Sequence, residues 1–106
     1  MTSAEVRALV EAEVGSTRDR ANPHGVDLRV SLVEPRRVRC RNTFPKLDGG
    51  KPLDLWLVLE ETPERRDGYV VVFDERSGQF GLGDWHGDEI AFLGYHGTFL
   101  QTLDGM

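Results

Sequence analysis

Four apolar residues at helical spacing open the chain. Val6, Leu9, Val10 and Val14 fall on one side of a 3.6-residue turn, behind a Thr2-x-x-Glu5 pair with the form of a capping box. Arg7 and Glu11 sit four apart on the other side, and Gly15 is placed to stop the helix. With Glu11 and Glu13 on its polar face, this is a helix for packing on a core, not a basic helix for a membrane surface. Residues 16–25 are polar, contain Asn22-Pro23 and predict a loop.

From Val26 the period changes to two. Val26, Leu28, Val30 and Leu32 alternate with Asp27, Arg29 and Ser31 and predict a half-buried strand that ends at Glu34-Pro35. Residues 36–42 alternate again, with Val38 and Cys40 on one face and Arg37, Arg39 and Arg41 on the other. Residues 43–52 hold two prolines and Gly49-Gly50, so they form a long loop. Strands follow at 53–61 and 69–75, joined by a polar turn over 62–68, and shorter ones at 79–83 and 90–95. Arg76-Ser77-Gly78 is a hairpin turn, residues 84–89 are a loop, and Thr98-x-x-Gln101 opens a short helix carrying Phe99, Leu100 and Leu103. Short connections between consecutive strands favour an antiparallel meander, because parallel strands would need crossover helices. The expected fold is α+β: an N-terminal helix, about five to six curved antiparallel strands and a short C-terminal helix, with both helices on one sheet face.

The middle strands are apolar on both sides. Leu53, Leu55, Leu57 and Leu59 make one face, while Trp56 and Val58 lie on the other; Val70 and Val72 likewise oppose Tyr69, Val71 and Phe73. Two short helices cover little, so two readings stand open. Curvature, loops and the C-terminal helix cover the second face, or Trp56 and Val58 belong to a partner or self-association surface.

Length and charge narrow the class. One hundred and six residues make one domain, 1–106, and a single cysteine excludes an internal disulfide, which fits a reducing, cytoplasmic setting. No apolar run approaches the roughly 20 residues of a membrane-spanning helix. A net charge of −5 argues against general nucleic-acid binding. That charge is uneven, +3 over residues 1–46 and −8 over 47–106. If 36–42 pairs with 53–61, Arg37, Arg39 and Arg41 share a face with Asp54, Trp56 and Glu60, a composition suited to stacking and bidentate pairing. The opposing reading is an arginine-decorated edge satisfied by cross-strand ion pairs.

Catalytic signals are weak. Cys40 lies between Arg39 and Arg41, but its phase places it on the apolar face, where a thiol is inert. Asp84, Trp85, His86 and Asp88 make the densest group of candidate ligands, and a hairpin would bring His96 towards them. None of the zinc spacings, phosphate loops or nucleophile elbows occurs, so no catalytic, cofactor or metal residues are assigned. Gly81 and Gly83 fall on one strand face and would let a helix or an aromatic such as Trp85 or Phe92 approach. The reading is therefore a non-enzymatic protein–protein interaction module, of inhibitor or immunity type or a homodimeric adaptor. Its surface would be Arg37, Arg39, Arg41, Trp56 and Val58. The alternative is a small-ligand binder or enzyme with a curved-sheet pocket near Asp84, Trp85, His86, Asp88 and His96.

Overall fold

In a computed structural model of the chain, which describes residues 1–15 and 25–106, the first helix, α1 (Ser3–Val14), forms with both halves of its Thr2/Glu5 capping box in place. The loop expected over 16–25 lies, but for Gly25, outside the described residues. Val6, Val10 and Val14 are buried, whereas Leu9 is 40% exposed. The stripe is thus narrower than expected, because α1 meets the convex outside of a barrel along one line of residues four apart.

The strand expected over 26–32 is corrected. Asp27 caps a single helical turn, α2 (Leu28–Ser31), its carboxylate accepting from the Arg29 amide at 3.0 Å while its carbonyl accepts from Val30 and Ser31. Local capping wins over alternation, so Leu28 is buried and Val30 points outward. Strand β1 (Leu32–Asn42) starts where that strand was to end and runs through Pro35. It can do so because the register with the next strand slips between Leu32 and Arg36, leaving Pro35 in a stretch where its missing N–H is not needed. The Pro35 carbonyl accepts from the Ser3 hydroxyl at 2.6 Å, which ties β1 to the start of α1.

A one-turn 3₁₀ helix at Asp48–Gly50 interrupts the following loop. Then come β2 (Leu53–Thr62), β3 (Asp67–Asp74), β4 (Gln79–His86), β5 (Glu89–Gly97) and α3 (Phe99–Asp104). The five strands form an antiparallel meander, as expected, and then close on themselves. Cys40, Arg41 and Asn42 of β1 pair in parallel with Ile90, Ala91 and Phe92 of β5. Closure gives the sheet an inside and an outside. Cys40, Leu53, Leu55, Leu57, Val70, Val72, Ile90 and Phe92 fill the interior, a cluster to which no helix contributes. Trp56, Val58, Leu59, Val71, Phe73 and Phe80 face outward, under Val6, Val10, Val14, Leu28, Phe99 and Leu103. Strands apolar on both sides are therefore covered on both sides. No helix of the described residues is long and apolar enough to cross a membrane.

Two details position the functional surfaces. Glu13, on the polar face of α1, accepts from the Phe99 and Leu100 amides at 3.1 and 3.4 Å, while Thr98 and Gln101 cap each other, so the first turn of α3 has its donors satisfied. Gly81 makes room for Phe92: a Cβ there would sit 2.8 Å from the Phe92 ring and 2.7 Å from the Gly94 carbonyl. Gly83 accommodates Ile90, Ala91 and Val70 instead, not Trp85 or a helix.

Two predictions follow from this packing. Val10→Ala removes two buried methyl groups and should lower the urea-unfolding free energy by about 2 kcal/mol, while Leu9→Gln should stay within about 0.5 kcal/mol of the parent. Gly81→Ala should destabilise by about 1–3 kcal/mol in the same assay, because the colliding atoms include backbone that cannot swing aside; an unchanged midpoint would mean that Phe92 and Gly94 do not pack against this strand.

Candidate functional site

The outer face of β1 carries the first candidate surface. Cross-strand pairing places Arg37 opposite Trp56 and Arg39 opposite Asp54, on the shared face expected from sequence. The Arg37 guanidinium lies 5.3 Å from the centre of the Trp56 ring and pairs with Glu75, which pins it. Arg39 pairs with Asp54 at 3.4 Å, both side chains more than half exposed. Arg41 is exposed on the same face and among the described residues has no carboxylate within 4.0 Å, whereas Arg36, opposite the interior Leu57, is exposed but off this face. Trp56 and Val58 do not belong to the exposed surface: they are 6% and 1% exposed beneath the helices. Among the described residues the buried Trp56 Nε1 donor has no hydrogen-bond partner.

Glu60 leaves the face assigned to it. Val58 and Leu59 together oppose Val71, a bulge that shifts the alternation, and Glu60 then sits opposite Val70, whose side chain is interior. Glu60 is 4% exposed and accepts from Trp85 Nε1 at 3.2 Å. Arg66 stacks over Trp85 at 5.6 Å and pairs with Asp88 at 2.7 Å. His86 Nε2 lies 3.2 Å from Asp84 Oδ1, at ion-pair distance but without hydrogen-bond alignment. Asp84, Trp85, His86 and Asp88 are thus gathered at the β4–β5 turn.

His96 is not with them. His86 pairs with Glu89 at one end of the hairpin, while Gly97 pairs with Phe80 at the other, and the His96 ring lies against Gly105 after α3. Seven strand residues, roughly 23 Å, separate the two ends. Among the described residues no group of three or more His, Cys, Asp or Glu is placed to hold a metal ion.

A second surface escapes sequence reading because loop and strand residues distant in the chain build it. At the end of the barrel away from Trp85, Phe44, Lys46, Leu47, Phe92, Gly94 and Tyr95 line an open depression of about 390 Å³. Asn42 shapes its loop wall, donating to the Leu47 and Lys51 carbonyls at 2.7 and 3.0 Å and accepting from the Phe44 amide at 2.9 Å. The Thr43 hydroxyl donates to the Phe92 carbonyl at 3.3 Å. Tyr95 is fixed through its hydroxyl, which donates to the buried Asp74 carboxylate; Asp74 also accepts from the Arg76 amide at 2.9 Å. The one sequence signal was Phe44, an aromatic inside an otherwise turn-forming loop.

Cys40 is fully buried in the interior, and burial pushes its thiol from 9.0 up to about 12. Burial, with the hydrogen bond to Asp74, pushes Tyr95 from 10.0 up to about 12. The fold holds both groups neutral, and the unfolded chain ionises them at lower pH. Their contribution to stability is complete below about pH 9 and is lost as pH rises towards 12. Urea melts should therefore weaken progressively above pH 9, and Cys40→Ala should flatten the fall between pH 9 and 10, where Tyr95 still contributes little. A slope identical in the variant would place the Cys40 thiol in contact with solvent. No family model, curated protein or solved structure matches this chain, so its own side chains carry the functional argument.

Proposed function

We propose that this protein is a non-enzymatic binding module of the cytoplasm that works by protein–protein contact through the arginine row of β1. The supporting observation is the row itself. Arg37 and Arg39 are held outward by Trp56, Glu75 and Asp54, and the row continues to Arg41, which among the described residues has no carboxylate within 4.0 Å. Arg41 presents forked donors suited to a carboxylate, and the exposed Arg37 and Arg39 extend the positive strip beside it. The partner this fits is an acidic protein surface, on another protein or on a second copy of the chain.

The converse role, an acidic inhibitor masking a basic partner, has less support. Much of the negative charge of residues 47–106 is engaged within the molecule. Glu60 and Asp74 are buried, and Asp54, Asp67, Glu75 and Asp88 pair with arginines. Nucleic acid is the poorer fit as well, because Trp56, the aromatic beneath the row, is buried and offers no free face for stacking on a base.

The immobilised protein should retain a partner from host extract at low salt and release it as salt rises, since screening weakens exposed charge pairs. The double substitution Arg39→Glu/Arg41→Glu should abolish that retention while leaving the unfolding midpoint near the parent's, because the Arg39–Asp54 pair is exposed. Light scattering over a protein concentration series decides whether the partner is a second copy. Retention of the same proteins by the double variant would refute the arginine row as the contact.

A further inference from the structure

We propose that the depression at the barrel mouth is a binding site for a small apolar monocarboxylate, with Lys46 holding the carboxylate and the rings of Phe44 and Tyr95 flanking the apolar body over a floor set by the buried Phe92. This goes beyond protein contact through β1, which uses other residues and stands or falls separately.

Shape comes first. A volume of about 390 Å³ lies within the range of sites for small molecules, and barrel mouths are a common place for them. The walls are built before any ligand arrives. Phe92 is 1% exposed and belongs to the interior cluster, Tyr95 is fixed by Asp74, and Asn42 and Thr43 pin the loop that carries Phe44, Lys46 and Leu47. Phe92 stands edge-on both to Phe44, at 6.0 Å and 70°, and to Tyr95, at 4.8 Å and 65°. Gly94 leaves the remaining wall open: its φ of +136° disfavours a side chain, and a Cβ there would come within 3.8 Å of the Phe44 ring.

Chemistry selects the occupant. Lys46 is the one charged residue lining the depression, and among the described residues it has no carboxylate within 4.0 Å. Tyr95 has already committed its hydroxyl, and Asp74 lies buried behind it. A ligand that fits therefore carries a flat or flexible apolar body and one negative group at the rim. A cationic ligand would bring its charge to Lys46, and a fully polar one would leave the ring faces unused. Phe44 at 39% exposure closes the far side, so some of the apolar area covered on binding is the protein's own.

Three probes of one shape separate these terms: 4-phenylbutyrate, 4-phenylbutan-1-ol and 4-phenylbutylamine, each titrated into the whole chain with backbone amide chemical shifts as the readout. Phenylbutyrate should give saturable shifts centred on Leu47, Phe92 and Gly94, with the alcohol about tenfold weaker and the amine weaker still, as expected for one partly exposed charge-assisted contact. Lys46→Gln should weaken phenylbutyrate about tenfold and bring acid and alcohol level, whereas Lys46→Arg should keep the preference. The comparison of the three probes on the parent chain decides the matter even if a variant folds poorly. Absence of saturation at millimolar phenylbutyrate, equal binding of acid and amine, or shifts away from the mouth would overturn the proposal. So would mouth shifts that follow protein concentration instead of ligand, which would assign the depression to a second copy. Arg39→Glu/Arg41→Glu should leave phenylbutyrate binding unchanged, so loss of partner capture and loss of ligand binding report on separate claims.

Discussion

The short parallel seam between β1 and β5 is the constraint on which the rest of this structure depends. Cys40, Arg41 and Asn42 meet Ile90, Ala91 and Phe92 there, and each pair carries a different consequence. Cys40 and Ile90 turn inward and are lost to solvent. Arg41 turns outward and extends the row of exposed arginines. Asn42 spends its side chain on the loop that follows, and Phe92 becomes both interior packing and the floor of the mouth. Without the seam the sheet would be open, its inner leucines would face water, and neither candidate surface would exist as a rigid object.

Closure also decides how the polar groups are satisfied. A closed meander gives strand backbones partners on both sides over the seam, and the two ends of β4 are then finished by aromatic–carboxylate pairs: Trp85 with Glu60 at one end, Tyr95 with Asp74 at the other. Outside, α1 and α3 are joined by Glu13, which takes two amides from the start of α3. Asp84 Oδ1 and the Trp56 Nε1 donor, both buried and without a hydrogen-bond partner among the described residues, are the exceptions. An unmet donor of this kind costs about 1–3 kcal/mol. It sits directly under Arg37, where the ring face is used to steady an exposed cation while its N–H goes unpaired.

Legibility followed the range of the forces. Capping boxes at Thr2 and Thr98 were readable because donor and acceptor are three residues apart. That Arg37 and Arg39 share a face with Trp56 and Asp54 was readable once the two strands were assumed to pair, whereas the register that sets Arg37 against Trp56 came from the structure. Residues 26–32 misled because Asp27 forms a local cap whose strength hydrophobic alternation does not report. Glu60 misled because one bulge at Val58 and Leu59 reverses every later assignment to a face. His86 and His96 were drawn together on paper by a hairpin whose strands proved to be longer than their apolar cores.

By itself the sequence determined the order of the elements outside residues 26–32, the antiparallel meander, the burial of Cys40 and the presence of arginines on one face of β1. All of these rest on interactions between residues a few positions apart, or on a two-residue period that any pleated strand must obey. Only the tertiary structure decided that the sheet closes, that Trp56 and Val58 lie beneath helices, and that Phe44, Lys46, Phe92 and Tyr95 share one mouth. Those outcomes depend on where residues some fifty positions apart come to rest, and the bulges and shear of the barrel set that placement, which no local pattern encodes.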